Sequence, residues 1–267
     1  MNLVLRYLGV NVLHWQASFH FYANLLGMEI GKRDGRWAVF GAGAEDHAQY
    51  SPTLIFELNS GGRFPGYRIW GHYQGIRPSI QVANLEAVAA EARRNRVILG
   101  PIEEQEWGRR VEFVAPEMIR WTFSEVPGRP ATDDLRKPVI GHVEIKVNDM
   151  AAQMAFYRDV LGFHVASEAA AQVILSQGTD NPWLILEPTG GKYDNPPTWA
   201  KYPDRAHPVS IGLVTPDVGA VADRARTAGI TILRDVGEQR NGGLATGATG
   251  LVLADPDGNA VRVLQTD

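Results

Sequence analysis

The chain repeats itself, and that repeat constrains its fold more than any other feature. Phe21-Tyr22-Ala23-Asn24-Leu25-Leu26-Gly27-Met28 returns 135 residues later as Phe156-Tyr157-Arg158-Asp159-Val160-Leu161-Gly162-Phe163. Glu57-Leu58-Asn59-Ser60-Gly61-Gly62-Arg63-Phe64 returns, one residue shorter, as Glu187-Pro188-Thr189-Gly190-Gly191-Lys192-Tyr193. Ala87-Val88-Ala89-Ala90-Glu91-Ala92-Arg93 returns as Ala220-Val221-Ala222-Asp223-Arg224-Ala225-Arg226. Three matches in one order at nearly constant spacing describe a duplicated unit. Between the copies, Pro127, Gly128, Pro130, Asp133 and Asp134 form a polar, proline-bearing linker. The expected organisation is therefore a first domain over 1–126, a linker over 127–138 and a second domain over 139–267.

Each copy has the same internal order. A short alternating strand, Tyr7 to Val12 or His142 to Val147, precedes the helix that carries the Phe-Tyr pair. Asn148 or Asp149 suits the N-cap of the second such helix, and Gly27 and Gly162 suit left-handed terminations. Strands follow at Trp37–Phe40 and Leu54–Leu58, and again at Gln172–Ser176 and Trp183–Glu187. A second strand and helix come next: Ser79–Val82 with Glu86–Asn95, and Val209–Thr215 with Val218–Ala228. The copies close with strands ending at Ile119–Phe123 and Ala260–Leu264. The fold class is α+β, with four tandem βαβββ modules forming two curved mixed-sheet cups and helices on the outer faces. In His142-Val143-Glu144-Ile145-Lys146-Val147 one face is polar and the other apolar, and Arg77, Ser79 and Gln81 repeat the pattern. The helices should cover the apolar face, which leaves a polar cup.

Composition narrows the function classes. There are 26 basic and 30 acidic residues and no like-charge block, so the chain lacks the basic excess of a nucleic-acid binder. Cysteine is absent, which excludes disulfides, thiolate metal sites and a cysteine nucleophile. No apolar run approaches the roughly 18 residues of a membrane span, and Arg6 interrupts the first one. A cytoplasmic protein with a small-molecule partner is expected, and a homodimer is compatible with this reading.

The Gly141-His142-Val143-Glu144-Ile145-Lys146-Val147-Asn148-Asp149 opening, the Phe156-to-Phe163 helix end and Asp255-Pro256-Asp257-Gly258-Asn259 before the last strand together resemble the vicinal oxygen chelate superfamily. That group contains glyoxalase I, extradiol dioxygenases, fosfomycin resistance enzymes and bleomycin-binding proteins. Trp107-Gly108-Arg109-Arg110 is similar to a stretch of the resistance-type members. The resemblance implies four ligand-bearing positions per site. In the second half they fall at His142, Glu187, Ser210 (or Val209 under a one-residue shift) and Arg262; in the first half at Tyr7, Glu57, Arg77 and Thr122. An extradiol-type site would gather His142, Ser210 and Arg262. A glyoxalase I-type arrangement would mix the halves as Tyr7, Glu57, Ser210, Arg262 and as His142, Glu187, Arg77, Thr122. None of these sets holds three good metal ligands, and a permanently charged guanidinium repels a dication. A divalent metal is thus possible through His142 and Glu187 but is not favoured, and Glu187 and Glu144 are the candidate bases.

In place of a metal, each half pairs a ligand-position Glu with an Arg, Glu57 with Arg77 and Glu187 with Arg262, so ion pairs are expected on the cup floors. His207 reaches a cup only if its loop folds back, and His14, His20, His47, His72 and His164 read as surface residues. Gly242, Gly243, Gly247 and Gly250 lack the Lys-Ser/Thr ending of a phosphate loop and read as turns. Two long loops, Asn59 to Ile76 with Trp70 and Pro188 to Pro208 with Trp199, concentrate aromatics suited to a pocket wall or an interface.

Overall fold

The computed structural model describes residues 3–12, 14–34, 37–40, 53–58, 75–178, 182–189, 209–236 and 250–265. The first module runs β1 (Val4–Val12), α1 (Trp15–His20, widening into a π-turn over Phe21–Leu25), β2 (Ile30–Asp34), β3 (Trp37–Phe40) and β4 (Thr53–Leu58). The second runs β5 (Ile76–Gln81), α2 (Leu85–Arg94), β6 (Leu99–Gln105), β7 (Gly108–Val114) and β8 (Arg120–Glu125). The third has β9 (Val139–Val147), α3 (Met150–Met154, then a π-turn over Ala155–Val160), β10 (His164–Ala169), β11 (Gln172–Ser176) and β12 (Trp183–Pro188). The fourth has β13 (Val209–Thr215), α4 (Val218–Thr227), β14 (Ile232–Arg234), β15 (Gly250–Ala254) and β16 (Ala260–Gln265).

Local chemistry sets these elements. Asn84, Asp149 and Asp217 each accept from the backbone N–H three residues on, which satisfies a donor at a helix start. Asp149, rather than Asn148, is the cap of α3. Both Phe-Tyr helices end in a widened turn, with Leu26 N–H on Phe21 O at 3.0 Å and Leu161 N–H on Phe156 O at 3.1 Å. Gly27 and Gly162 then leave at φ +71 and +74, where a side chain would be strained. Among the described residues no helix is long and apolar enough to cross a membrane.

The strands form two eight-stranded sheets, ordered β14-β15-β16-β13-β1-β4-β3-β2 and β10-β11-β12-β9-β5-β8-β7-β6. The first joins the terminal modules and the second joins the middle modules; we call their concave faces the outer and the inner cup. The expectation that each half closes a cup of its own is corrected here. The seams are antiparallel ladders between the halves: β1 with β13, and β5 with β9. Each opening strand has a free edge, and pairing it with the other half leaves both sheets continuous.

Helix packing, in contrast, includes contacts that tie each half to itself. Phe21 lies 6.0 Å from Phe113 and Tyr22 lies 5.8 Å from Trp121, between ring centroids. Ser18 Oγ donates to Glu117 Oε2 at 2.8 Å, and the Tyr22 hydroxyl donates to Glu117 Oε1. Burial pushes this carboxyl up despite both bonds. The second half repeats the device: Tyr157 OH donates to Asp255 Oδ2 at 3.3 Å and Gln153 Nε2 to Asp257 Oδ2 at 2.9 Å. Burial raises Asp255 to about 7. The Phe-Tyr pairs are core residues, as their helical spacing predicts. The linker docks: Asp133 Oδ1 accepts from Ala83 N–H and Asn84 N–H, both at 2.8 Å.

Candidate functional site

Strand alternation decides which side chains enter the cups. On β9, Val143, Ile145 and Val147 face the apolar core, so His142, Glu144 and Lys146 face the inner cup. Register then sets neighbours: Ser79 stands opposite both His142 and Thr122, Arg77 opposite Glu144, and Glu187 opposite Lys146. The inner cup therefore gathers His142, Glu187, Arg77 and Thr122, the second of the two mixed sets. The outer cup gathers Tyr7, Ser210 and Arg262, with Glu57 on β4 beside Asn11 in the ladder. The extradiol-type set of His142, Ser210 and Arg262 is split between the two sheets. Ser210, not Val209, is the cup residue of β13: Val209 belongs to the core, and Ser210 Oγ lies against Gly9.

The expected charge pairing is also corrected. Arg77 does not meet Glu57, and Glu187 does not meet Arg262, because each pair is divided between the sheets. Arg77 instead lies 3.7 Å from Glu187, 3.2 Å from Glu144 and 3.5 Å from Glu112. Arg110 on β7 adds contacts of 2.5 Å to Glu144 Oε2 and 3.5 Å to Glu187 Oε1, and Lys146 pairs with Glu187 Oε2. Three carboxylates and three cations thus neutralise one another across four strands. Burial alone would raise Glu144, but the His142 contact and the two guanidiniums outweigh it and hold the carboxyl well below the usual range. Glu144 is consequently a fixed anion. The same alternation that selected Arg77 would have selected Arg110 and Glu112, which flank the core residue Val111. Their pairing with Glu144 and Glu187 depended on the seam between modules.

His142 is fully buried, with Nε2 3.3 Å from Glu144 Oε1. Trp107, in the turn between β6 and β7, lies edge-on to it at 4.5 Å between centroids. The indole N–H reaches across the cup to Gln172 Oε1 at 3.2 Å. Trp107 joins Val126, Ile174, Ile185 and Trp183 in an apolar cluster separate from the main core. Arg129 from the linker stacks over Trp183, its Cζ 4.4 Å from the ring centroid. The inner cup thus has an apolar end roofed by Trp107 and a charged end at Arg77, Arg110 and Glu187.

The outer cup is built differently at the same register positions. Where the inner cup has Glu144 and Ser79, it has Gly9 and Gly212. Tyr7 lies flat on Gly212, and a Cβ there would collide with its ring. Ser210 Oγ fills the space above Gly9, and Arg262 Cζ is 3.6 Å from where a Gly9 Cβ would sit. Tyr7, Ser210 and Arg262 are all buried.

A family-type metal centre does not fit these donors. The inner set places the Arg77 guanidinium among its four positions, with Glu187 already in its ion pairs. Of the outer set, Tyr7, Ser210 and Arg262 offer a phenol, a hydroxyl and a cation. Among the described residues no three His, Asp or Glu side chains are grouped to hold an ion. The side chain of Glu57, the aromatic loops with Trp70 and Trp199, His207, Gly242 and Gly243 lie outside the described residues. His14, His20 and His164 are exposed, as expected.

The model of the Glyoxalase/Bleomycin resistance protein/Dioxygenase superfamily matches residues 139–263. A glyoxalase I mutant from Zea mays shares the fold over 99% of this chain and 94% of its own, at TM-score 0.74 and 15% identity. Glyoxalase I from Zea mays superposes over 98% and 92% of the two chains, at TM-score 0.69 and 16% identity. A candidate dioxygenase from Bacillus subtilis does so over 98% and 84%, at TM-score 0.68 and 16% identity. At these identities the likeness is one of fold. No curated protein matches the chain by sequence.

Proposed function

We propose that the chain, whose residues 139–263 match the model of the Glyoxalase/Bleomycin resistance protein/Dioxygenase superfamily, is as a whole a member of the vicinal oxygen chelate group and binds a small organic molecule in a polar cup through side chains instead of a resident metal. The carrying observation is the inner-cup ion-pair network, in which Arg77 stands 3.2 Å from Glu144 and 3.7 Å from Glu187. Guanidiniums that satisfy buried carboxylates can also hold a ligand's carboxylate or phosphate by paired hydrogen bonds. Arg262 on the outer-cup floor supplies the same chemistry there. The competing reading is a metal-dependent lyase, isomerase or dioxygenase using His142 and Glu187, and it draws support from their sharing one cup.

Metal analysis of the protein as purified, read beside turnover of catechol and of a glutathione hemithioacetal, separates the two. Side-chain binding predicts less than stoichiometric metal, no turnover of either compound and thermal shifts with small organic anions that a chelator leaves unchanged. A ligand at 100 times its Kd would add about 2.7 kcal/mol of stability. Stoichiometric metal lost in His142→Ala, with turnover of either compound, would replace this reading with the enzyme.

A further inference from the structure

The duplication supplies an internal control for the surface. Helices α2 and α4 end in the same turn, with Arg96 N–H on Arg93 O at 2.9 Å and Gly229 N–H on Arg226 O at 3.1 Å. The turns before β8 and β16 also match, with Met118 N–H on Ala115 O and Gly258 N–H on Asp255 O, both at 2.8 Å. The backbones therefore correspond position by position while the side chains diverge. Where the second half has Gly229, Thr231, Ala254 and Gly258, the first half has Arg96, Ile98, Val114 and Met118. Arg96 and Met118 sit at φ +66 and +67, the left-handed region that Gly229 and Gly258 occupy at +69 and +84. Among the described residues they are the two non-glycines placed there, and a Cβ strains both positions. Ile98 is 88% exposed, Met118 53% and Val114 45%. The three are neighbours: Leu99 pairs with Phe113, so Ile98 and Val114 flank one rung of the β6–β7 ladder, and the turn that carries Met118 follows Val114. Backbone strain and a contiguous exposed apolar patch both oppose folding, and the second half builds the same turns without either.

We propose that this end of the inner sheet docks on an anionic phospholipid bilayer, with Ile98, Val114 and Met118 entering the headgroup region and Arg93 and Arg96 meeting lipid phosphates. Charge selects that occupant. Arg94 and Arg120 are neutralised by Glu91 and Glu112. Arg93 and Arg96 are exposed and pair with no carboxylate among the described residues; Arg93 donates only to Gly100 O. Two such guanidiniums beside an apolar group match an anionic interface, where each basic side chain adds to the attraction. The formal charge of the whole chain is −4, so the cluster also fixes which end approaches. Shape points the same way. The apolar residues stand at a strand start and a turn tip, and a bilayer accepts isolated protruding side chains, whereas a peptide needs a groove to lie in. A second copy is disfavoured by charge, because a two-fold contact through this patch would bring the arginines together. The resulting contact is reversible and lies on the membrane without crossing it. Neither cup takes part.

The test is flotation of the full chain with vesicles of phosphatidylcholine alone and of phosphatidylcholine mixed with phosphatidylserine. The chain should bind the mixed vesicles at least about tenfold more strongly than the neutral ones, and added salt should release it. Ile98→Thr combined with Met118→Gly, the residues of the second half, should weaken binding at least about tenfold through lost apolar contact. Arg96→Gly should weaken it by about fivefold through lost charge. Met118→Gly and Arg96→Gly relieve left-handed strain, so melting temperatures should hold or rise, and lost binding is then separable from lost folding. Absence of binding to the mixed vesicles, or binding that survives the double variant, overturns the proposal. Self-association in sedimentation velocity that the double variant abolishes also overturns it, and gives the patch to a second copy.

Discussion

The two cups share one backbone plan and differ in what fills it. At equivalent register positions the inner cup carries His142, Glu144, Ser79 and Thr122, and the outer cup carries Tyr7, Gly9, Gly212 and Arg262. The inner floor is held by charge. Glu144, almost fully buried, would cost several kcal/mol if alone, and Arg77, Arg110 and His142 offset that cost. The outer floor is held by contact instead: two glycines bring the backbone up to the Tyr7 ring and the Ser210 hydroxyl. A duplicated fold can thus keep its sheet geometry while the chemistry of its two sites diverges, since each cup side chain is replaceable without disturbing the core face.

The largest expected effect breaks the inner network. Glu144→Leu leaves Arg77 and Arg110 short of a carboxylate and should lower unfolding stability by about 3–5 kcal/mol, measured by urea denaturation. A loss below about 1 kcal/mol would mean that charge does not hold the inner floor.

The next effect lies behind the cups. Burial raises Asp255 from 3.8 to about 7, so the folded chain binds this proton more tightly than the unfolded one. Its contribution is complete below about 3.8, declines as pH rises and is gone once the pH passes about 7. The loss is on the order of a few kcal/mol. Thermal midpoints followed over that window should fall in the wild type and flatten in Asp255→Asn. Glu117 shifts in the same direction, so Glu117→Gln should remove a further part of the slope. An unchanged slope in both variants would show that other groups carry it.

A smaller effect separates the two floors directly. Gly212→Ala forces the Tyr7 ring off the outer floor and should cost about 1–3 kcal/mol. At the equivalent inner position, Ser79→Ala removes only the 2.7 Å bond to Ser124 and should cost about 1 kcal/mol. Equal costs would erase the distinction between a contact-held and a charge-held floor. Smallest of all, removing divalent metal with a chelator should leave the melting temperature unchanged, because among the described residues neither floor groups three metal-ligating side chains.

Much of the fold was legible because it is local. The alternation of His142 to Val147, a cap at Asn148 or Asp149 and the terminating Gly27 and Gly162 each act within a few residues, and the structure keeps the alternation and both glycines and chooses Asp149 as the cap. Among the site residues, Arg77, Glu144 and His142 were legible as one polar face. The roof was not: nothing near Trp107 in the sequence points to His142, which lies on another module and is reached only through the fold.

The repeat, the strand and helix order and the polar face of each strand were determined by the sequence alone, because periodicity and capping act over one or two turns of chain. Which modules share a sheet was decided only in the tertiary structure. The opening strands β1 and β9 carry the same kind of edge, and both β5 and β13 alternate in the same way, so local pattern is equally compatible with either pairing. Packing of α1 and α3 on the far module of their own half is satisfied alongside ladders to the other half, and that combination unites the terminal strands across some 200 residues. It is also what sent Arg77 to Glu187 and Glu144, and Arg262 to Gly9 and Ser210.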